Sequence, residues 1–141
     1  MVLFLLEEGA TPEAVDRVMR AFGFPIGPFE LRDMTGVDVA WRNRQGRLSQ
    51  LSERGKRCDW VDKLYAAGRL GQKAGLGFYR YASGSRQALP DPWLAELLVD
   101  HRQQLSITPR AITDQEIEER CLFTMINEAA WLIDHDIVAH P

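Results

Sequence analysis

Helix-opening signals recur along this whole chain, while strand signals are confined to the aromatic piece Gly77-Phe78-Tyr79-Arg80-Tyr81. That imbalance restricts the expected fold to the all-α class. Leu3 and Leu6 lead into Gly9, a helix stop. Thr11 is placed as an N-cap with Pro12 in the first turn and Glu13 behind it. Val15, Val18, Met19 and Phe22 follow at spacings of three and four, which gives one apolar face ending at Gly23. Pro28 opens a short helix through Met34, and residues 36–45 carry another. Residues 57–71 read as a further helix, with Trp60 and Leu64 on one side and Gly68 as its stop. Asp91-Pro92 restarts helix, with Trp93, Leu94, Leu97, Leu98 and His101 at helical spacing. Thr113 and Glu116 form a capping box ahead of the most periodic segment. There Ile117, Cys121, Met125 with Ile126, Ala129 and Ile133 recur about every four residues, and Leu122 and Leu132 widen the stripe.

A chain of 141 residues suits one domain or two very small ones, and a net charge of −3 disfavours wholesale binding to nucleic acid. One stretch is locally basic: Arg42, Arg44, Arg47, Arg54, Lys56 and Arg57. It reads either as a solvated loop or as a surface for the phosphates of a nucleotide-like ligand or an acidic partner. Cys58 and Cys121 lack any CxxC neighbour, which argues against a zinc site or disulfide framework and for a reducing compartment. No apolar run approaches the ~18 residues that a membrane span requires. Residues 1–9 are too short and too acidic for a signal peptide and read as the last turns of a helix whose beginning is absent. The stop after residue 141 is equally abrupt, so a fragment is expected, with uncovered apolar surface that favours dimers or domain exchange. Residues 4–12 and 131–141 echo one another: bulky apolar residues, acidic or polar ones, a short turn, then proline.

Candidate chemistry is sparse. Gly71-Gln-Lys-Ala-Gly-Leu-Gly77 fits neither the Walker pattern, since Lys73 precedes the second glycine, nor GxGxxG, since Arg80 occupies the last place. A structural turn whose glycines let backbone pass close to a neighbour accounts for it better. His101, His135 and His140 are the side chains that titrate near neutral pH, but none has a companion constellation, and no dyad, triad or metal cluster is legible. The segment after the second helix is different. Pro25 and Pro28 fix two backbone angles between Gly23 and Gly27, so Phe24, Ile26 and Phe29 project from a stiff ridge. Either that ridge packs on this chain's own core, or it forms an apolar wall shared with another domain or a greasy substrate.

Residues 5–40, followed by residues 66–81, resemble the C-terminal helical domain of L-3-hydroxyacyl-CoA dehydrogenase. The likeness rests on G-F-P-x-G-P-F-E-L from Gly23 and G-Q-K-x-G-x-G-F-Y from Gly71, in that order. Residues 114–141 resemble the start of a second copy, as found in multifunctional fatty-acid oxidation proteins that fuse an enoyl-CoA hydratase to the dehydrogenase. The resemblance implies a first domain over 1–81 lacking its first turns, a connector with a helix over 82–113, and a truncated second repeat over 114–141. It also implies NAD-dependent oxidation of the 3-hydroxyl of an acyl-CoA. The histidine–glutamate dyad and the NAD site of that reaction belong to a preceding Rossmann domain. No catalytic, cofactor-binding or metal residue is therefore carried over, and this chain is expected to be inactive alone. What remains is a substrate-cleft rim made of Phe24, Pro25, Ile26, Gly27 and Pro28, together with a role in homo-oligomer formation. The other reading is a stand-alone helical interaction module without catalysis. Bacterial cytoplasm is the expected compartment, with peroxisome and mitochondrion as alternatives.

Overall fold

The computed structural model describes residues 2–135, 137 and 138. The helices are α1 (Val2–Glu8), α2 (Pro12–Phe22), α3 (Pro28–Thr35), α4 (Val37–Arg47), α5 (Glu53–Arg57), α6 (Trp60–Ala66), α7 (Pro92–Gln104) and α8 (Asp114–Asp134). No β-strand forms among the described residues. The aromatic piece after Gly77 makes only isolated bridges, Leu76 with Arg80 and Arg80 with Leu89.

The caps form where the sequence places them. Thr11 Oγ1 accepts from Ala14 N–H at 3.2 Å, and Asp91 Oδ1 accepts from Trp93 N–H at 3.1 Å. Thr113 Oγ1 accepts from Glu116 N–H at 3.1 Å, but the Glu116 carboxylate turns away to Arg110 and Arg120, so only half of the capping box exists. The helix expected over 57–71 is shorter. It begins at Trp60 because Cys58 and Asp59 break from α5, and it stops at Ala66. The basic stretch is mostly helical rather than a loop, divided between α4 and α5.

The core gathers around α1. Leu3, Leu5 and Leu6 are buried with Val15, Val18, Met19, Trp60 and Leu64, and α7 and α8 close the same core with Leu94, Leu98, Ile117 and Cys121. Trp60 Nε1 donates to Leu3 O at 3.1 Å, which ties α6 to α1. Arg102 of α7 donates to Leu6 O at 2.6 Å and Glu7 O at 3.3 Å, which satisfies carbonyls that the end of α1 leaves unpaired.

The stripe of α8 is only partly used. Ile117 and Cys121 are buried against α2 and α1, but Met125, Ile126 and Ala129 are exposed, as are Phe123 and Trp131. Length explains this: 21 residues of α8 span about 30 Å, roughly twice what the 11 residues of α2 can cover. Phe22, expected on the apolar face of α2, is also exposed, at the last residue of that helix.

Glu8, at the end of α1, collects three arginines: Arg54 of α5 at 2.6 Å, Arg110 of the 105–113 segment at 2.9 Å and Arg120 of α8 at 2.7 Å. Arg120 foremost, with Arg54 and Arg110, holds the Glu8 carboxyl at about 2. A folded value below the unfolded one means that the stabilisation is present above about 4.5 and is lost as pH falls through about 2. Glu8→Gln is therefore expected to cost about 1–2 kcal/mol near pH 7, after solvent screening, and little near pH 2. Urea titrations at both pH values check this.

A braced apolar rim as candidate functional site

The rim is built from the C-terminus of α2 and the N-terminus of α3. Gly23 closes α2 with φ 134°, its N–H donating back to Met19 and Arg20 carbonyls, and the turn reverses the chain. Phe24 and Pro25 are exposed, Ile26 and Pro28 half-buried, and Gly27 buried. Phe22 and Phe24 stack with ring centroids 6.0 Å apart, while Phe29 turns inward onto Phe78 at 4.9 Å. Phe29 thus enters the chain's own core, as the first reading of the ridge expects, while Phe24 and Pro25 are exposed. An open depression of about 510 Å³ adjoins it, lined by Pro25, Ile26, Glu30, Met34, Gln72 and Arg86.

Two buried aspartates hold the rim rigid. Asp16 lies beneath it and accepts from Phe29 N–H at 2.9 Å, Glu30 N–H at 3.1 Å and Tyr79 Oη–H at 2.7 Å. A residue of α2 thus caps α3, and its carboxylate also meets the helix dipole. Gly27 is required because any Cβ there would lie well inside 3.0 Å of Asp16 Cγ. Asp33, on α3, accepts from Phe78 N–H at 2.8 Å, Tyr79 N–H at 3.0 Å and Tyr81 Oη–H at 2.9 Å. Gly77 leaves space for that carboxylate and Gly71 for the Asp33 backbone, where a Cβ on either would collide. The two glycine motifs are thus two halves of one brace, with Tyr79 bonded to both acids.

Burial pushes the Asp16 carboxyl up to about 6, against the three donated hydrogen bonds that favour its ionised form. A folded value above the unfolded one means that its contribution is complete below about 4 and is lost as pH rises through about 6. Burial also raises Asp33, again opposed by its donors, and raises the Tyr79 and Tyr81 hydroxyls, which the neighbouring acids keep protonated.

The other candidates stand apart from the rim. His101 is buried between α7, α1 and α6, and His135 stacks on Trp131 at 4.2 Å. His140 lies outside the described residues. Much of the basic stretch is engaged within the fold: Arg44 donates to Asp62, Gly55 O and Lys56 O, and Arg54 meets Glu7 and Glu8. Cys58 and Cys121 are free and buried, and burial pushes the Cys58 thiol up to about 12. No group of acidic, histidine and cysteine side chains suited to a metal ion occurs among the described residues. No helix there is long and apolar enough to cross a membrane. The glycine turn at 71–77 packs on Asp33 through Gly71 and Gly77.

The family model described as 3-hydroxyacyl-CoA dehydrogenase, C-terminal domain, matches residues 1–81. This chain belongs to that family. Residues 1–81 hold the rim and both halves of its brace, so the parts that fix Phe24 to Pro28 are parts of the 3-hydroxyacyl-CoA dehydrogenase C-terminal domain. The human protein named peroxisomal bifunctional enzyme is 43% identical over 150 residues, covering 98% of this chain and 21% of its own length. The fatty acid oxidation complex subunit alpha of Shewanella sp. (strain ANA-3) is 36% identical over 138 residues, covering 97% and 19%. The chain therefore spans about a fifth of the length of the curated relatives it matches. The fold matches the dehydrogenase part of multifunctional enzyme 1 from C. elegans with a TM-score of 0.73 at 23% identity, over 94% of this chain and 29% of that one.

The sequence singles out the apolar ridge and both glycine motifs but not Asp16, Asp33 and Tyr79 as the groups that join them. A signal was available: Asp16 is an acid embedded between Val15 and Met19 on the packed side of α2. A buried carboxylate needs donors, and the glycine motifs supply them.

Proposed function

We propose that this chain is the helical half of the acyl-CoA cleft in an NAD-dependent L-3-hydroxyacyl-CoA dehydrogenase of fatty-acid β-oxidation. Phe24, Pro25, Ile26, Gly27 and Pro28 form the rim that faces the substrate. The observation that carries this reading is the contrast within five residues: Phe24 and Pro25 point apolar surface outward, while Gly27 beneath them is locked onto Asp16. A rigid apolar lip suits a group that positions a bound chain, where small displacements of a reactant cost large factors in rate. NAD supplies the hydride acceptor in such a reaction and is bound by a preceding Rossmann domain. This chain's contribution is to wall the cleft and fix the substrate.

Residues 82–113 serve as the connector and 114–141 as the start of a second repeat in this reading. The echo between α1 and the end of α8 supports the repeat. Leu5 and Leu6 are buried in the first copy, while Leu132 and Ile133 at the matching places are only half-buried. The exposed Phe123, Met125, Ile126 and Trp131 favour association between chains, and light scattering at high concentration tests for a dimer. The same exposed apolar side chains favour the second reading, a stand-alone helical interaction module. The bacterial and peroxisomal relatives support a bacterial cytoplasmic or peroxisomal setting.

Gly27 is unsuited to a functional test, because any side chain there disturbs Asp16. Phe24→Ala is the informative change. In the full-length enzyme it is expected to raise KM for a medium-chain 3-hydroxyacyl-CoA about tenfold, from the loss of about 1.4 kcal/mol of apolar contact, with stability unchanged. The 141-residue chain by itself is expected to give no NAD reduction with the same substrate. Turnover by the isolated chain, or wild-type kinetics in the variant, overturns the assignment.

A further inference from the structure

One titratable cluster lies apart from the rim. His101 of α7 is 2% exposed, and its ring lies against that of Trp60 with centroids 4.0 Å apart. On one side Nε2 is 3.3 Å from Glu7 Oε1 of α1, and that carboxylate is also met by Arg54 of α5. On the other side two groups of the α6 region converge on Nδ1. Lys63 Nζ stands 2.7 Å away and Asp59 Oδ1 3.5 Å away. Lys63 Nζ and Asp59 Oδ1 are themselves 3.0 Å apart. Arg102, next to His101 on α7, is turned to the Leu6 and Glu7 carbonyls, and the buried Cys58 thiol lies between α5 and α6.

Counting donors fixes the state of the ring. An ammonium has donors and no acceptor, so Nδ1 accepts from Lys63 and the ring is neutral, with its proton on Nε2 directed at Glu7. Asp59 Oδ1 is buried and makes no well-aligned hydrogen bond among the described residues, although Lys63 Nζ pairs with it by charge at 3.0 Å. A buried acceptor without a well-aligned donor calls for an explanation. If Nδ1 is protonated, its N–H cannot share the position with Lys63, and the nearest acceptor is Asp59 Oδ1, 3.5 Å away.

We propose that Lys63 and a solvent proton compete for Nδ1 of His101, so that α6 and α7 are joined by a pH-sensitive switch. On acidification a proton from water adds to Nδ1. The Lys63–Nδ1 hydrogen bond breaks and the ammonium swings out, which its position at the edge of the cluster allows, with 26% of its side chain exposed. The new Nδ1–H donates to Asp59 Oδ1, while Nε2–H stays on Glu7. Both states keep α7 fastened to α1 and α6. They differ in whether the Lys63 charge is withdrawn into the cluster or presented to solvent.

Nitrogen-15 NMR of the imidazole and the Lys63 ammonium in the 141-residue chain reads both halves of the exchange. At neutral pH, Nδ1 is expected to be unprotonated and hydrogen-bonded to Lys63. On acidification Nδ1 gains its proton and Lys63 loses its contact with the ring in the same step. In Asp59→Asn, protonation of Nδ1 is expected to need about tenfold more acid, because a carboxylate beside Nδ1 has gone. In Lys63→Met, protonation of Nδ1 is expected to need about tenfold less acid, because the competing cation has gone. The two variants move in opposite directions, which a merely structural contribution does not produce. A neutral ring carrying its proton on Nδ1, a Lys63 signal indifferent to the ring's protonation, or unchanged acid requirements in both variants overturns the switch.

Discussion

Asp33→Ala is expected to remove about 3–5 kcal/mol of stability, the largest loss from any single change in the brace. The substitution leaves Phe78 N–H, Tyr79 N–H and the Tyr81 hydroxyl without their acceptor, all in a part of the fold where those residues are buried. The gain from no longer burying a carboxylate offsets part of this cost. It does not cancel it, because the three donors stay buried. Tyr81→Phe removes only one donor and is expected to cost about 1 kcal/mol. Urea unfolding of both variants, followed by far-ultraviolet circular dichroism, provides the comparison. A loss for Asp33→Ala no larger than for Tyr81→Phe would mean that water replaces the carboxylate and that the brace is not a closed one.

Gly77→Ala is the second large effect, expected to cost about 3 kcal/mol although the position demands no unusual backbone angle. Its added methyl would lie well inside 3.0 Å of Asp33 Oδ1, so the cost is steric. That makes a signed prediction for the double variant. In an Asp33→Ala background the carboxylate is absent and the methyl added at position 77 enters the space it vacated. The further cost of Gly77→Ala is then expected to fall by about 2 kcal/mol, a strong departure from additivity. By contrast, Gly68→Ala, where a Cβ meets nothing within 4 Å, carries only the strain of its φ of +71°. Equal costs for Gly77→Ala in the two backgrounds would show that something other than the Asp33 carboxylate requires the glycine.

The parts of this fold that could be read from the sequence were those set by local chemistry. Thr11, Asp91 and Thr113 cap helices within three residues of themselves, so their roles need no tertiary information. The outward reach of Phe24 and Pro25 likewise follows from two prolines and two glycines in one short stretch. The brace was illegible because Asp16 and Tyr79 are 63 positions apart, and Asp33 and Tyr81 are 48 apart. The place of Asp16 between Val15 and Met19 marks it as buried but does not say which distant residue supplies its donors. The uncovered half of α8 was illegible for the opposite reason. Periodicity reports that Met125 and Ile126 have an apolar face, but not whether a neighbour is long enough to reach it. His101 was placed among apolar residues, and only the coordinates bring Glu7, Lys63 and Asp59 to it from two other elements.

The hydrogen bonds of Tyr79 and Tyr81 have a consequence for anyone trimming this protein. A polypeptide ending at residue 75 would retain all of Phe24 to Pro28 and every residue of the helices flanking them. It would nonetheless hold the lip less firmly, since Asp33 would lose Phe78 N–H, Tyr79 N–H and the Tyr81 hydroxyl, and Asp16 the Tyr79 hydroxyl.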